Sequence, residues 1–354
     1  LMPRLNLLEV LQGDHKVIKQ GAIQTCELLA RRLGRALEPY TVAWLPYILQ
    51  ILGQEGGSKP EVRQCCLEAM DAMMATASPA AIRRLLPRLV GTVEQESEGW
   101  RSRAAAVVWL GALTVAAPAF LRAHLGRVLP PLVSALGDAH GQVQQAARHA
   151  LGRYGRVLRS PELVALLPIL LDALADPPTH ATKALERLLT TRFAHLVDGA
   201  SLALLEPLLR RALLDRSAGA ADNKRRAAQI LANLATSLVD PIDLTPSLPS
   251  LLPALRDCLS DPVPLVRSTA ARVLGMLVRR VAIEDGRSCP PIDSLLPNLL
   301  AELRGSGAVQ KPLSPLNPQT STNSKVDREG CAQALSETLA AFGPERIRLV
   351  LEAE

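Results

Sequence analysis

An all-α architecture, a right-handed α-solenoid of about eight antiparallel helix pairs, is predicted by three observations on this sequence. First, apolar residues make up 48% of the 354 residues while aromatic residues make up only 3%. Leu, Ala and Val therefore do the packing, which suits closely approaching helices; a β-sandwich draws more on Tyr, Phe, Trp and Thr. Second, a Pro recurs within an apolar stretch at Pro46, Pro87, Pro130, Pro168, Pro207, Pro253 and Pro297, at intervals of 41, 43, 38, 39, 46 and 44 residues. Third, the stretches between those prolines carry a clean helical period. Val266, Thr269, Ala270, Val273, Leu274, Leu277, Val278 and Val281 lie on one stripe, and Val143, Ala146, Ala147, Ala150, Leu151, Tyr154, Val157 and Leu158 repeat it.

Each unit reads as helix, short turn, helix. Six of the seven prolines follow Leu, with Glu206-Pro207 the exception, and spacing near ~40–47 residues is that of HEAT or armadillo arrays. The Pro deletes one i to i−4 hydrogen bond, which a first helix on the outer curve tolerates. Eight residues after the Pro, an Asp recurs at Asp138, Asp176, Asp215 and Asp261, placed to end the first helix and cap the second. A partial pair runs to Pro39; later pairs begin near Tyr40, Ala80, Ala119, Glu162, Ala200, Pro246 and Pro291. An apolar stripe on each helix cannot be covered within one pair, so stacking supplies the core.

The array divides into a solenoid over residues 1–304, a flexible insertion over 305–325 rich in Gly, Ser, Pro, Asn and Thr, and a continuation over 326–354. Pro344 to Glu354 reads as the opening of a further first helix, and the Leu1 start reads as that of a fragment. A second loop is expected at Ser217 to Asn223. The longest apolar run, Ala104 to Ala117, is shorter than the ~20 residues of a membrane span, and the start is no secretory signal, so no membrane is expected as a partner. The six cysteines show no C-x-x-C spacing and are read as reduced, in an intracellular protein. Lys plus Arg exceeds Asp plus Glu by 40 − 34 = 6, a mild excess compatible with an anionic partner.

Catalytic constellations are incomplete, so the expectation is no enzyme and no cofactor. The stretch from Gly53 to Lys59 approaches a phosphate-binding loop, but Ser58 stands where the second Gly is needed and Pro60 follows the Lys. No His is followed by Glu in the manner of an iron site, no G-x-S-x-G elbow occurs, and the six histidines are scattered through the repeat. Trp44, Trp100 and Trp109 sit singly at core or turn positions and read as packing rather than as a base-stacking platform.

What remains is surface. Basic groups occur at Arg31-Arg32, Arg83-Arg84, Arg101 with Arg103, Arg210-Arg211, Lys224-Arg225-Arg226 and Arg279-Arg280. Arg101, Arg103, Lys224, Arg225, Arg226, Arg279 and Arg280 are the candidate partner-binding residues, with the densest cluster at 224–226. A plain solvated face is the alternative for that cluster. Arg63, Lys183 and Arg267 open second helices and are read as structural, pairing with the turn aspartates Asp138, Asp176, Asp215 and Asp261 of their own or the adjacent unit in a ladder.

Several stretches go beyond the generic repeat. Cys26 to Tyr40 (CELLARRLGRALEPY) running on to Trp44-Leu-Pro46, Thr191 to Asp198 (TRFAHLVD), Ser201 to Leu205, Leu214 to Ser217, Lys224 to Ile230 (KRRAAQI), and Asp261 to Arg267 (DPVPLVR) leading to Gly275 closely resemble the general control nonderepressible family. That family comprises the large HEAT-repeat activators of the amino-acid-starvation kinase. The resemblance runs in order over nearly the whole chain and implies a central position, the part similar to the HEAT region of translation elongation factor three. It implies a cytosolic, ribosome-associated scaffold that works with an ABC-type ATPase and activates the kinase acting on initiation factor two alpha, with the kinase contact outside this chain. The two insertions depart from the family pattern, and no ATPase cassette is present. The repeat by itself fits a generic HEAT adaptor of the transport or phosphatase-scaffold type equally well.

Overall fold

The computed structural model describes residues 7–12, 16–54, 59–95, 97–217, 219–285, 292, 294–304 and 323–342. Among these residues every regular element is helical, as expected of an all-α solenoid. The chain forms two compact units, Leu1–Val157 and Leu158–Glu354. The first holds α1 (Leu7–Gln12), α2 (Lys16–Leu33), α3 (Glu38–Gly53), α4 (Pro60–Thr76), α5 (Pro79–Glu94), α6 (Trp100–Ala116), α7 (Pro118–Ala135) and α8 (Gly141–Tyr154). The second holds α9 (Pro161–Ala175), α10 (Pro177–Thr190), α11 (Gly199–Leu214), α12 (Ala220–Asn233), the short α13 (Pro241–Leu244), α14 (Leu248–Cys258), α15 (Pro264–Asp285), α16 (Leu295–Arg304) and α17 (Asn323–Phe342).

Local sequence explains the starts. A Pro opens α4, α5, α7, α9 and α10, where its missing N–H costs nothing and its φ is already helical. Side-chain caps complete three of the first helices: Ser78 Oγ accepts from Ala81 N at 3.3 Å, Ser160 Oγ from Leu163 N at 3.4 Å and Asp198 Oδ1 from Ser201 N at 3.2 Å. The recurrent prolines all lie within first helices: Pro46 in α3, Pro87 in α5, Pro130 in α7, Pro168 in α9, Pro207 in α11, Pro253 in α14 and Pro297 in α16. None of them is buried. For the six from Pro46 to Pro253, the carbonyl left without a helical donor therefore sits on the water side of its helix.

Within each unit the core is aliphatic. In the first unit, the second helices α6 and α8 approach so closely that a Cβ at Gly111 would lie 2.9 Å from the Cβ of Ala150. The two large polar-tipped side chains buried there are satisfied: Tyr154 Oη donates to Leu110 O at 3.1 Å and Trp109 Nε1 donates to Asp71 Oδ1 at 3.3 Å. In the second unit, α17 lies against the α14–α15 pair so tightly that a Cβ at Gly330 would meet the carbonyl oxygen of Leu259. Trp44 and Trp109 are buried as packing residues. Cys26, Cys65, Cys66, Cys258 and Cys331 are free and buried. Burial pushes the Cys26, Cys66 and Cys258 thiols up to about 12.

Two boundaries differ from the sequence expectation. Gly219 adopts φ +93°, a left-handed turn that only Gly enters cheaply, and α12 begins directly after it. Asn223, expected in the loop, is thus in the first turn of the helix, and the Lys224 cluster rides on it. Similarly, residues 323–325 belong to α17. The remainder of the 305–325 insertion and the expected helix from Pro344 lie outside the described residues. No helix among the described residues is long and apolar enough to cross a membrane.

Candidate functional site

The turn aspartates and the openings of the second helices form rungs between successive helix pairs, and the residues that make them are not all the expected ones. Arg103, in the first turn of α6, reaches forward to Asp138 in the α7–α8 turn. Its Nε donates to Asp138 Oδ2 at 2.9 Å, its Nη2 to Oδ1 at 3.1 Å, and its Nη1 to Glu98 O at 2.6 Å. Both side chains are 12% exposed. Asp138 Oδ1 also accepts from His140 N at 2.8 Å, so one carboxylate shapes the turn and holds the preceding pair. Burial raises the Asp138 carboxyl, but the hydrogen bonds from Arg103 and the His140 amide outweigh it and hold the group below its ordinary value.

The same rung recurs in the second unit. Lys224, just past the first turn of α12, donates to Asp261 Oδ2 at 2.6 Å, with Lys224 14% and Asp261 5% exposed. Asp261 Oδ1 accepts from Val263 N at 2.9 Å, repeating the Asp138 turn. Arg267, one pair further on, binds Asp261 O at 2.9 Å, Pro262 O at 3.1 Å and Glu329 Oε2 of α17 at 3.1 Å. Arg103 and Lys224, expected at a partner surface, are therefore committed to the ladder alongside Arg267. Among the described residues, Arg63 and Lys183 have no ion-pair partner. The turn position eight residues after Pro87 is Gln95, so Arg63 meets no acid there, and Lys183 stands three residues further along its helix than Arg103 does and two further than Lys224. Asp215 Oδ1 caps Ser217 N at 2.9 Å, and Asp176 is the N-cap of α10 without a side-chain cap bond; neither has an ion pair among the described residues.

The rest of the 224–226 cluster is also engaged. Arg226 Nη2 lies 2.8 Å from Glu186 of α10, and its Nη1 donates to Asn223 Oδ1 at 3.1 Å. Arg225 lies 3.6 Å from Asp222 one turn back, a loose pair with an exposed carboxylate. Arg101 stacks its guanidinium 4.3 Å from the Trp100 ring centre, and Trp100 in turn stacks on His140 at 3.9 Å with the planes 8° apart. Arg279 is exposed and Arg280 half-buried near the end of α15.

A second set of contacts, on acids that the repeat reading did not single out, ties the opposite ends of the helix pairs. Glu38, opening α3, accepts from Ser78 N at 2.6 Å and Ser78 Oγ at 2.8 Å, so it grips the N-cap of α5. Glu162, opening α9, accepts from Ser160 Oγ at 2.8 Å and Ala194 N at 3.0 Å, and pairs with His195 Nδ1 at 2.9 Å. The His195 contact leads in holding the Glu162 carboxyl down to about 2. Glu206 of α11 accepts from Ser250 Oγ of α14 in the same manner. An acid on one first helix facing a Ser or a free amide 32 to 44 residues later is a signal that a single repeat does not display. Among the described residues there is no cluster of three or more His, Cys, Asp or Glu able to hold a metal ion.

Comparison with known proteins agrees with this geometry. The family description "EF3 N-terminal HEAT repeat" matches residues 9–151, and "Elongation factor 3/GNC1 HEAT repeat" matches residues 179–287. The human protein described as "Stalled ribosome sensor GCN1" is 38% identical over 333 residues, covering 94% of this chain and 11% of its own length. The Saccharomyces cerevisiae "eIF-2-alpha kinase activator GCN1" is 35% identical over 339 residues, covering 96% of this chain and 12% of its own length. Elongation factor 3 of Phytophthora infestans is 28% identical over 267 residues, covering 75% of this chain and 25% of its own. The chain thus spans about a ninth of the length of the GCN1 relatives it matches. With two EF3-type HEAT models matched in order and GCN1 relatives 35–38% identical over nearly all of its length, the chain belongs to the GCN1 family of EF3-type HEAT-repeat proteins.

Proposed function

We propose that this chain is a partner-holding segment of a ribosome-associated translational activator, one that stimulates the starvation-responsive kinase acting on initiation factor two alpha. The observation that carries this reading is the colinear 38% identity over 333 residues to relatives described as stalled ribosome sensors, together with relatives described as eIF-2-alpha kinase activators. The segment acts by surface rather than by chemistry: an array of rungs fixes the heights at which side chains are presented to a partner. An ABC-type ATPase is the expected co-partner, and the kinase contact is expected on other parts of the longer protein. Such a segment works in the cytosol. Of the candidate partner-binding residues, Arg225 and Arg279 are the ones least tied into the ladder.

The test is gradient co-sedimentation of the purified 354-residue chain with eukaryotic ribosomes at low and moderate salt. A fraction that travels with the ribosomal peaks and is released by salt supports the reading. A chain that stays at the top of the gradient at low salt overturns it for this segment and leaves a general HEAT adaptor.

A further inference from the structure

The formal excess of positive charge is not spread along the chain. Residues 1–157 contain 18 Lys and Arg against 12 Asp and Glu, a net of 18 − 12 = +6, which equals the whole chain's +6. Much of it stands on two neighbouring first helices. α5 and α7 together carry Arg83, Arg84, Arg88, Arg122 and Arg127 against the single acid Glu94. Arg88 pairs with Glu98 at 3.2 Å. Arg83, Arg84 and Arg127 are exposed, and none has an ion-pair partner among the described residues.

Register brings these cations together. Arg84 and Arg127 each lie three residues before the repeat Pro of their helix, Pro87 and Pro130, so they occupy the same height on packed, successive first helices. Packed helix axes lie about 8–10 Å apart. The outward face between the two arginines is low: Ala80 on α5 and Ala119, Ala123 and Gly126 on α7 are exposed. Glu94 stands ten residues beyond Arg84, about 15 Å along the helix. The first helices of the second unit differ: α9 contains no cation at all, and in α11 Arg210 and Arg211 sit at the far end.

The chemistry of the face selects its partner. Among the described residues, exposed large apolar side chains occur on α2, α3, α4 and α6, but none occurs on α5 or α7. Protein interfaces centre on well-packed anchors drawn from Trp, Tyr and Arg, and of these the face offers only exposed Arg with no apolar surround to desolvate it. A sugar-phosphate backbone needs only cations and close approach. Exposed aromatic rings, the platforms on which single-stranded bases stack, are also missing there; Phe120 is half-buried and stacks on His124 at 4.1 Å. A duplex read by its backbone and shape has no need of them.

We infer that the outward face of α5 and α7 is a docking surface for the backbone of an RNA helix, with Arg83, Arg84 and Arg127 as its phosphate contacts. This deepens the ribosome-associated reading above, and rests on it for the source of the RNA. The probe is a fluorescently labelled RNA hairpin with a long duplex stem, titrated with the full 354-residue chain by anisotropy over a salt series. The Arg83→Gln/Arg84→Gln/Arg127→Gln variant should bind at least about tenfold more weakly, with the log–log salt slope smaller by about three, roughly one for each phosphate that is no longer neutralised. Arg210→Gln/Arg211→Gln, which removes two exposed cations of the second unit, should bind like the parent, and circular dichroism should show all three chains equally helical.

An unchanged slope in the triple variant, an equal loss in the α11 control, or displacement of the hairpin by poly-glutamate as readily as by unlabelled RNA each overturns the inference. Ribosome co-sedimentation separates the two claims. If the triple variant still travels with ribosomes and binds the hairpin normally, this surface fails while the ribosome reading stands. If the parent never travels with ribosomes yet binds the hairpin through these arginines, the ribosome reading fails and the surface stands.

Discussion

Replacing Arg103 with Met keeps the aliphatic bulk of the side chain and removes the guanidinium. Asp138 then keeps one hydrogen bond, from His140 N, and loses two charge-assisted bonds at 2.9 and 3.1 Å, while Glu98 O loses its 2.6 Å donor. Removing one partner of a buried pair costs about 3–5 kcal/mol. With each side chain 12% exposed, water relieves part of the stranded carboxylate, which brings the expected loss to about 2–3 kcal/mol, the range of charged hydrogen bonds. The assay is urea unfolding followed by tryptophan fluorescence. Trp44, Trp100 and Trp109 all lie in the first unit, so the signal reports only the unit that is perturbed. With slopes of about 1–3 kcal/mol per M, the midpoint should fall by about 1–2 M. Asp138 titrates below its ordinary value when folded, so its contribution is full above the unfolded value, about pH 4, and is lost as pH falls through the folded value. The parent and Arg103→Met curves should therefore converge below about pH 4. A coupling under about 0.5 kcal/mol in a double-mutant cycle with Asp138→Asn, or a gap that does not narrow with acid, would refute the rung.

Lys224→Met should destabilise the α12–α15 region, because Asp261 is left with only the Val263 amide; hydrogen exchange should rise across the α14–α15 turn, and unchanged protection would show the rung to be idle. Glu162 sits at about 2 when folded against an ordinary 4.5, so its hold on Ala194 N and His195 is complete above about pH 4.5 and fades as pH falls towards 2. Protection of the Ala194 amide should follow that window, and Glu162→Gln should weaken it at neutral pH. Gly330→Ala drives a Cβ into the Leu259 carbonyl, and α17 should exchange faster than in the parent by at least an order of magnitude, with α9 and α10 unaffected. The thiols of Cys26, Cys66 and Cys258, pushed up to about 12 inside the core, should resist a thiol reagent at neutral pH until urea opens the chain; prompt labelling of the folded chain would contradict their burial.

The helix pairs were legible because each depends on local chemistry. Leu-Pro at a steady interval, Pro or Ser at helix starts and one apolar stripe per helix all act within a single element, and each recurs often enough to be read through noise. The ladder was legible only by residue type. The turn aspartates could be picked out, but their partners depend on how far one pair is displaced along the next, a quantity that no periodicity encodes. Arg103 and Lys224 therefore read as free cations although they reach 35 and 37 residues forward to Asp138 and Asp261. Arg63 read as a rung because its helix position is right, while the corresponding turn position of the next pair is Gln95, which carries no charge. The α12 start was misplaced because a single Gly at φ +93° lets the chain turn more sharply than a loop of that composition suggests.

The forward reach of these rungs bears on how such an array can be cut and rebuilt. A helix pair excised at its own boundaries takes Asp138 without Arg103, or Arg103 without Asp138, and exposes half a charge pair at each seam that a rung crosses. A segment running from just before one second helix to the end of the next turn, such as residues 97–140, carries cation, acid and the Trp100–His140 stack together. Recombination between relatives, or tandem copying to extend the array, should be tolerated at seams placed inside the pair, between its first and second helices, and should fail at seams that separate Arg103 from Asp138 or Lys224 from Asp261. The structural repeat and the transplantable one are thus half a period out of phase.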